Sequence, residues 1–299
     1  MVDLLIVGQG LAGSVLAYRA LQRGWTVHVV DNNHASSASL VAAGMFNPMS
    51  FRSVVETWEA SQNHEMMLDL FRSMEKDFGV KLIHDLPLVR VFPDSNYRAK
   101  WNGKADSLKW IEPSKDDDSI NAPYGTGAVN GCGYVDLPLL LKTVREYLIE
   151  QKSFANAQCS ATDILEENGF FSWSEVQAKR VVFCTGAVFN HPLIPIVPNK
   201  GEILTVSADL RNDRILNNGK WLMPHHSGIF RLGATYERLP YTNGPTPEVR
   251  ESLLRKISEM VTSELSVVKH EAGIRPTTPD RKPVCGMIAD GVFVLNGLG

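Results

Sequence analysis

The chain has 299 residues, 44% of them hydrophobic and 21% charged, with a formal net charge of −3. This is the composition of a globular protein with room for two domains, and its slight acidity removes the electrostatic case for binding nucleic acid or an anionic membrane surface. Cys132, Cys159, Cys184 and Cys285 stand far apart with no CxxC pair, which argues against a zinc site or a disulfide framework and points to a reducing cytoplasm. No stretch approaches the roughly 18 to 20 apolar residues of a membrane span. The apolar start lacks a basic leader and is soon broken by Gln9 and glycines, so it reads as a strand, not a signal sequence.

The first 31 residues carry the densest information. An apolar run over 2–7 leads into Gly8-Gln9-Gly10-Leu11-Ala12-Gly13, then a helical pattern over 12–23 that stops at Gly24. A second apolar run over 25–30 ends in Asp31, 18 positions after Gly13. Strand, glycine turn, helix, strand, acid is the order a dinucleotide site needs. Gly8 allows a tight exit from the strand, and Gly10 lets a pyrophosphate approach the helix N-terminus. Gly13 lets the helix lie close to the sheet, and Asp31 can accept from ribose hydroxyls. The fingerprint alone does not choose between NAD and FAD.

The segment 36–47 is small and polar and reads as a loop. Residues 56–78 place Trp58, Met67, Leu68, Phe71, Met74 and Phe78 on one stripe of a long amphipathic helix. Short strands follow at 81–84 and 88–92. Residues 101–118 are charged and irregular, with Asp116-Asp117-Asp118 as a solvated loop, and 121–133 looks like a crossover between domains. Asp136 caps a helix over 137–151 with Pro138 in its first turn. Asn168-Gly169 marks a hairpin between 163–166 and 170–173, and Val181 to Cys184 is a buried strand. Strands over 201–207, 221–224 and 229–232 begin a second sheet, a helix covers 247–265, and a last strand covers 292–295.

Several later segments have a glycine or proline signature in a fixed order. They are Ala42-Ala43-Gly44-Met45; Phe183-Cys184-Thr185-Gly186-Ala187; Lys200-Gly201-Glu202-Ile203-Leu204; Arg231-Leu232-Gly233-Ala234-Thr235-Tyr236-Glu237; Ala272-Gly273-Ile274-Arg275-Pro276; Pro283-Val284-Cys285-Gly286; and Asn296-Gly297-Leu298-Gly299. With the N-terminal fingerprint, this series resembles the FAD-dependent D-amino-acid oxidase, glycine oxidase and sarcosine oxidase superfamily over the whole chain. The resemblance implies an α/β protein: a Rossmann-like FAD-binding domain from 1–79, 132–199 and 273–299, and an inserted α+β substrate domain on a mixed sheet from 80–131 and 200–272.

The resemblance also implies roles. FAD would lie extended, held by Gly8, Gly10, Leu11, Ala12, Gly13, Asp31 and Asn32. Ser37, Ala43, Gly44 and Met45 would follow the pyrophosphate towards the flavin, with Thr185 and Gly186 as a second glycine turn. Arg275, Gly297 and Gly299 would complete the cofactor site. Arg275 would also pair with a substrate carboxylate, for which a planar guanidinium beside a stiff proline is well suited. Trp221 stands where glycine oxidases carry a tyrosine, so a bulkier or aromatic amine is as compatible as a small amino acid. His225 and His226 follow, and His225 is a candidate polar or basic group above the flavin. No metal is implied. Relatives continue past the position of Gly299 with a flavin-facing helix, so the sequence is expected to be a fragment or a weak flavin binder.

The reading is an FAD-dependent oxidoreductase that oxidises a small-molecule amine or amino acid by hydride transfer from Cα–H to flavin N5, giving an imine. The alternatives are an NAD-linked dehydrogenase and a non-catalytic flavin-binding protein.

Overall fold

The computed structural model describes residues 1–32 and 37–299. Its first sheet has a parallel core in the order Phe154–Asn156, Val27–Asp31, Val2–Val7, Val176–Phe183, Val292–Asn296. Both faces of this core are covered, as a parallel sheet requires. Leu4, Ile6, Val27, Val29 and Val182 pack under the helices Leu11–Gln22, Ala60–Phe78 and Leu137–Glu150. Leu5, Val7, Val30, Val181 and Phe183 face the other way, onto Phe171 and its hairpin. That hairpin pairs Leu165–Glu167 with Phe170–Trp173 and turns at Asn168 and Gly169, both with positive φ, as the Asn-Gly pair indicates.

The second sheet is mixed. Its order is Ser266–Thr277, Val197–Ser207, Ile229–Gly233, Trp221–His226, Ile215–Asn217, Leu88–Val91, Thr126–Val129, with one parallel pairing between Ile215–Asn217 and Leu88–Val91. One face packs on the helix Pro247–Ser258 through Leu204, Leu222, Leu232, Leu253 and Ile257. The other face joins Trp101, Tyr134 and Met223 in a separate core. A small sheet of Met45–Phe46, Gly133–Val135 and Ile83–Asp85 connects the two halves. The division points 199/200 and 272/273 fall inside the two longest strands of the second sheet.

Several elements differ from the sequence expectation. Within 36–47 the chain makes a single helical turn, Ala38–Val41, and the short strand Met45–Phe46. The long helix begins at Ala60, not at 56, because Val55–Glu56 pairs with Met49–Ser50 and Glu59 takes a left-handed conformation. Trp58 therefore lies off the buried stripe and is 52% exposed. The stretch 101–118 is not wholly irregular: Ser95–Ala105 is a helix capped by Asp94, and it buries Trp101 completely. Asp116 and Asp117 are ion-paired with Arg98 and Arg214. Burial alone would raise the Asp117 carboxyl, but hydrogen bonds from Ser119 and Arg214 hold it below its ordinary value. The supposed crossover 121–133 carries the strand Thr126–Val129. The last helix stops at Ser258, and the strand Ser266–Thr277 goes unrecognised in the sequence.

Two glycines show opposite packing. A Cβ on Gly13 would lie 1.9 Å from the Gly8 carbonyl oxygen, whereas one on Gly103 would meet nothing within 4 Å. Gly13→Ala is expected to lower the unfolding free energy by about 2 kcal/mol or more through backbone displacement. Gly103→Ala, in an exposed helix interior, should raise it by about 0.5–1 kcal/mol. Urea denaturation of both variants measures the two signs.

Candidate functional site

The first glycine turn is built by close approach. Gly8 has φ +100°, and a Cβ there would fall 2.5 Å from the Cys184 carbonyl oxygen. Gly8 thereby touches the second turn, where Thr185 precedes a short helical turn starting at Gly186 (φ +62°). Gly10 is the N-cap of Leu11–Gln22, and a Cβ on it would crowd Ser39 Oγ at 3.2 Å. The Leu11 amide donates to that hydroxyl at 3.0 Å. Among the described residues the amides of Ala12 and Gly13 have no protein partner. Bare helix N-terminal amides beside a side-chain-free turn suit a pyrophosphate.

Asp31 ends the second strand with Asn32 exposed after it. Its carboxylate accepts from the Gln9 amide at 2.8 Å and from Arg145 Nη2 at 3.0 Å. Arg145 Nε donates to Gln9 Oε1 at 2.6 Å, and the buried Gln9 amide donates to Ser14 Oγ and to the Leu141 carbonyl. The acid is thus oriented by two residues that the sequence reading missed. Arg145 lies one helical turn after Leu141, so the face it shares with that buried leucine was the available signal.

Gly44 (φ +68°) sits where a Cβ would be 2.0 Å from the Val135 carbonyl oxygen, and Met45 pairs with Tyr134. Ala43 and Met45 pack on the core that contains Tyr134, Met223 and Trp221. Ser37 forms a parallel bridge with Ile274. Arg231 Nη2 donates to the Val41 carbonyl at 2.8 Å, and a Cβ on Gly273 would meet Val41 at 3.1 Å. The 37–45 segment is therefore held between the second sheet and the small connecting sheet. Ser36, the first residue of the 36–44 loop expected to run beside the pyrophosphate, lies outside the described residues.

Arg275 is brought to the same region. Its guanidinium lies on the backbone of Gly201, where a Cβ would fall 2.2 Å from Nη2. Nη1 donates to the Thr235 carbonyl at 3.0 Å and to Asn199 Oδ1 at 3.3 Å. Burial pulls its pKa below the ordinary arginine value. Gly299 donates to the Pro276 carbonyl and, with Tyr236, Thr277 and Arg281, lines a cavity of about 200 Å³. Gly297 has φ +80°, and its amide donates to the buried Asn296 Oδ1, whose Nδ2 donates to the Gly186 carbonyl. Asn199, Thr235 and Asn296 were not recognised as site residues.

Trp221 is half-buried, with its ring edge over Gly233. Lys220 beside it donates to the Ala234 carbonyl at 2.7 Å; burial first, and Arg275 second, lower its pKa. His225 sits at a break in register between Trp221–His226 and Ile229–Gly233, a β-bulge of the kind that re-aims a side chain. Its ring is 4.1 Å from His226 and 5.6 Å from Tyr134, which stacks on His84 at 4.5 Å. Among the described residues, His225 Nδ1 is buried without a hydrogen-bond partner. Burial, then His226 and Arg231, hold His225 below its ordinary pKa against the opposing pull of Asp136.

With this geometry in place, the comparisons are decisive at the level of family. The profile of the FAD dependent oxidoreductases, DAO, matches residues 3–299. The chain belongs to this family. It is an FAD-dependent oxidoreductase, and the NAD-linked alternative falls. The chain is 23% identical to a glycine oxidase of Pseudomonas aeruginosa over 98% of its own length and 88% of the relative's. Among solved structures, it resembles a glycine oxidase of Bacillus cereus at a TM-score of 0.83 with 19% identity, covering 99% of this chain and 91% of the other. It also resembles an iminodiacetate oxidase of a Chelativorans species at 0.82 with 17% identity, covering 99% and 90%. These likenesses establish the α/β fold with its Rossmann-like and mixed sheets. Among the described residues no helix is long and apolar enough to cross a membrane.

Two tests follow. Arg145→Ala takes the guanidinium from both Gln9 and Asp31, and FAD retention through gel filtration is expected to weaken by about ten-fold or more in dissociation constant. Asp31→Ala should show a loss that is not additive with it. The second test is pH. His28, His84 and His225 all lie below their ordinary value of 6.5, chiefly through burial. Below that pH the unfolded chain binds protons that the folded chain refuses, so stability, fully present above it, falls as pH drops towards the folded-state values. The urea midpoint should decrease between pH 7.5 and 5.5, and His28→Gln should flatten the slope.

Proposed function

We propose that the protein oxidises a small-molecule substrate, an amino acid or related amine, at its Cα–H, with Arg275 binding the carboxylate where the substrate has one. The observation that carries this reading is the guanidinium seated on the bare backbone of Gly201, with Nη1 tied down, next to a cavity lined by Gly299. A planar, pre-oriented fork is the group that recognises a carboxylate in two places at once.

Gly8, Gly10, Leu11, Ala12, Gly13, Asp31 and Asn32 would hold the adenosine diphosphate half of FAD, and Ser37, Ala43, Gly44, Met45, Thr185 and Gly186 its path towards the flavin, closed by Gly297 and Gly299. When bound, FAD supplies the hydride acceptor at N5, and the substrate leaves as an imine that water hydrolyses. Arg275 orients the Cα–H by fixing the carboxylate. Trp221 borders the substrate. His225 would stand near the flavin as a polar or basic contact. The four unpaired cysteines support a cytoplasmic location.

The test is the visible spectrum of the purified protein, with the released cofactor identified, followed by anaerobic flavin bleaching with a panel of amino acids and amines. Arg275→Ala should raise the KM for a carboxylate substrate about ten- to a hundred-fold, as loss of a charged hydrogen-bonded pair does. An unchanged KM removes Arg275 from the substrate site. Bound FAD that no amine bleaches would instead support the non-catalytic alternative.

A further inference from the structure

One rung of the second sheet runs through Glu271, Ile203, Gly233 and Trp221. Residues paired across a ladder share a face, and so do residues two apart along a strand. Gly201 and Arg275 are therefore on the same face as Trp221. Two glycines leave gaps there, and each gap is filled from the side. Arg275 lays its guanidinium on Gly201, and Trp221 lays its ring edge on Gly233, where a Cβ would fall 2.8 Å from Cζ2. From sheet spacings the two glycines are about 8 Å apart. A cation and an indole thus lie side by side on one floor, separated by the reach of a single amino-acid side chain.

Neither group is exhausted by the protein. Among the described residues, both hydrogen bonds of Arg275 leave from Nη1. Among the described residues the Trp221 indole N–H has no partner, and the ring is half-buried and not sealed. One side of it is fixed by the core around Met223 and Tyr134, so it cannot turn aside without disturbing that packing.

We propose that Trp221 sets the specificity of the site and that the substrate is an α-amino acid with an aromatic side chain, its carboxylate on Arg275 and its ring against the indole. This rests on the amino-acid reading above and deepens it. A side chain as short as that of glycine does not span the interval to the indole. A branched aliphatic chain gains the apolar contact but not the ring-to-ring interaction.

Titration calorimetry of the FAD-loaded protein tests this without turnover, using indole-3-acetate, cyclohexylacetate and acetate as probes. Indole-3-acetate should bind about five-fold or more tighter than cyclohexylacetate. Trp221→Leu should erase that preference and leave acetate unchanged, Trp221→Phe should retain most of it, and Arg275→Ala should weaken all three probes. Equal binding of the ring and its saturated counterpart, survival of the preference in Trp221→Leu, or no binding of any probe overturns the proposal. Anaerobic bleaching separates the two readings. Glycine bleaching the flavin where phenylalanine and tryptophan do not would sink the aromatic assignment and keep amino-acid oxidation. Probe binding as described with no bleaching by any amino acid would sink amino-acid oxidation and keep the aromatic carboxylate site.

Discussion

Strand Val197–Ser207 has to satisfy opposite demands on its two faces, and the site depends on its doing so. On one face Gly201 must be bare, because a guanidinium occupies the place of its side chain. On the other, Lys200 and Glu202 are fully buried with 2.8 Å between Nζ and Oε1. Removing two ions from water costs several kcal/mol each unless their remaining bonds are met. Here they are met: the Thr246 amide and hydroxyl each lie 2.9 Å from the Glu202 carboxylate, and Lys200 Nζ donates to Thr242 Oγ1 at 3.3 Å. Burial would raise the Glu202 carboxyl, but Lys200 and Thr246 hold it below the ordinary value. The same residue reaches the other face through its backbone. Its amide donates to Thr235 Oγ1, and its carbonyl accepts from the Thr235 amide, which sets the carbonyl that anchors Arg275. The buried pair and the exposed chemistry are two sides of one backbone segment.

The dinucleotide half was largely legible because its signals are local. Strand, turn, helix and acid follow within the first 31 residues, and Gly8, Gly10 and Gly13 each have a nearby steric reason visible in the structure. The second half was harder because its determinants are remote. Ser266–Thr277 alternates polar residues on both faces and carries no strand signature, since it is specified by pairing with Val197–Ser207 along nearly its full length. Arg145 is 114 positions from the aspartate it orients, and Arg231 is 190 from the carbonyl it holds. The start of the long helix was misplaced for a different reason. The hydrophobic period continues back to Trp58, but a left-handed Glu59 and a two-residue hairpin partner override it.

The histidines show how a fold tunes chemistry without dedicated catalytic architecture. A register slip in an edge-to-edge pair pushes His225 out of the regular alternation and against Tyr134, whose strand also supports Gly44. The ring that could take a proton is thereby placed on the same framework as the segment that would face the flavin. Its pKa is lowered chiefly by burial, with His226 and Arg231 adding to the effect against Asp136.

The two long antiparallel strands Val197–Ser207 and Ser266–Thr277 form a stiff ribbon. At one end it is fastened by the Ser37–Ile274 bridge and the bond from Gly299 to Pro276. At the other it is rooted in the core under Pro247–Ser258. A ribbon clamped at both ends resists bending, so the width of the crevice it borders is fixed when the chain folds and not when a ligand arrives.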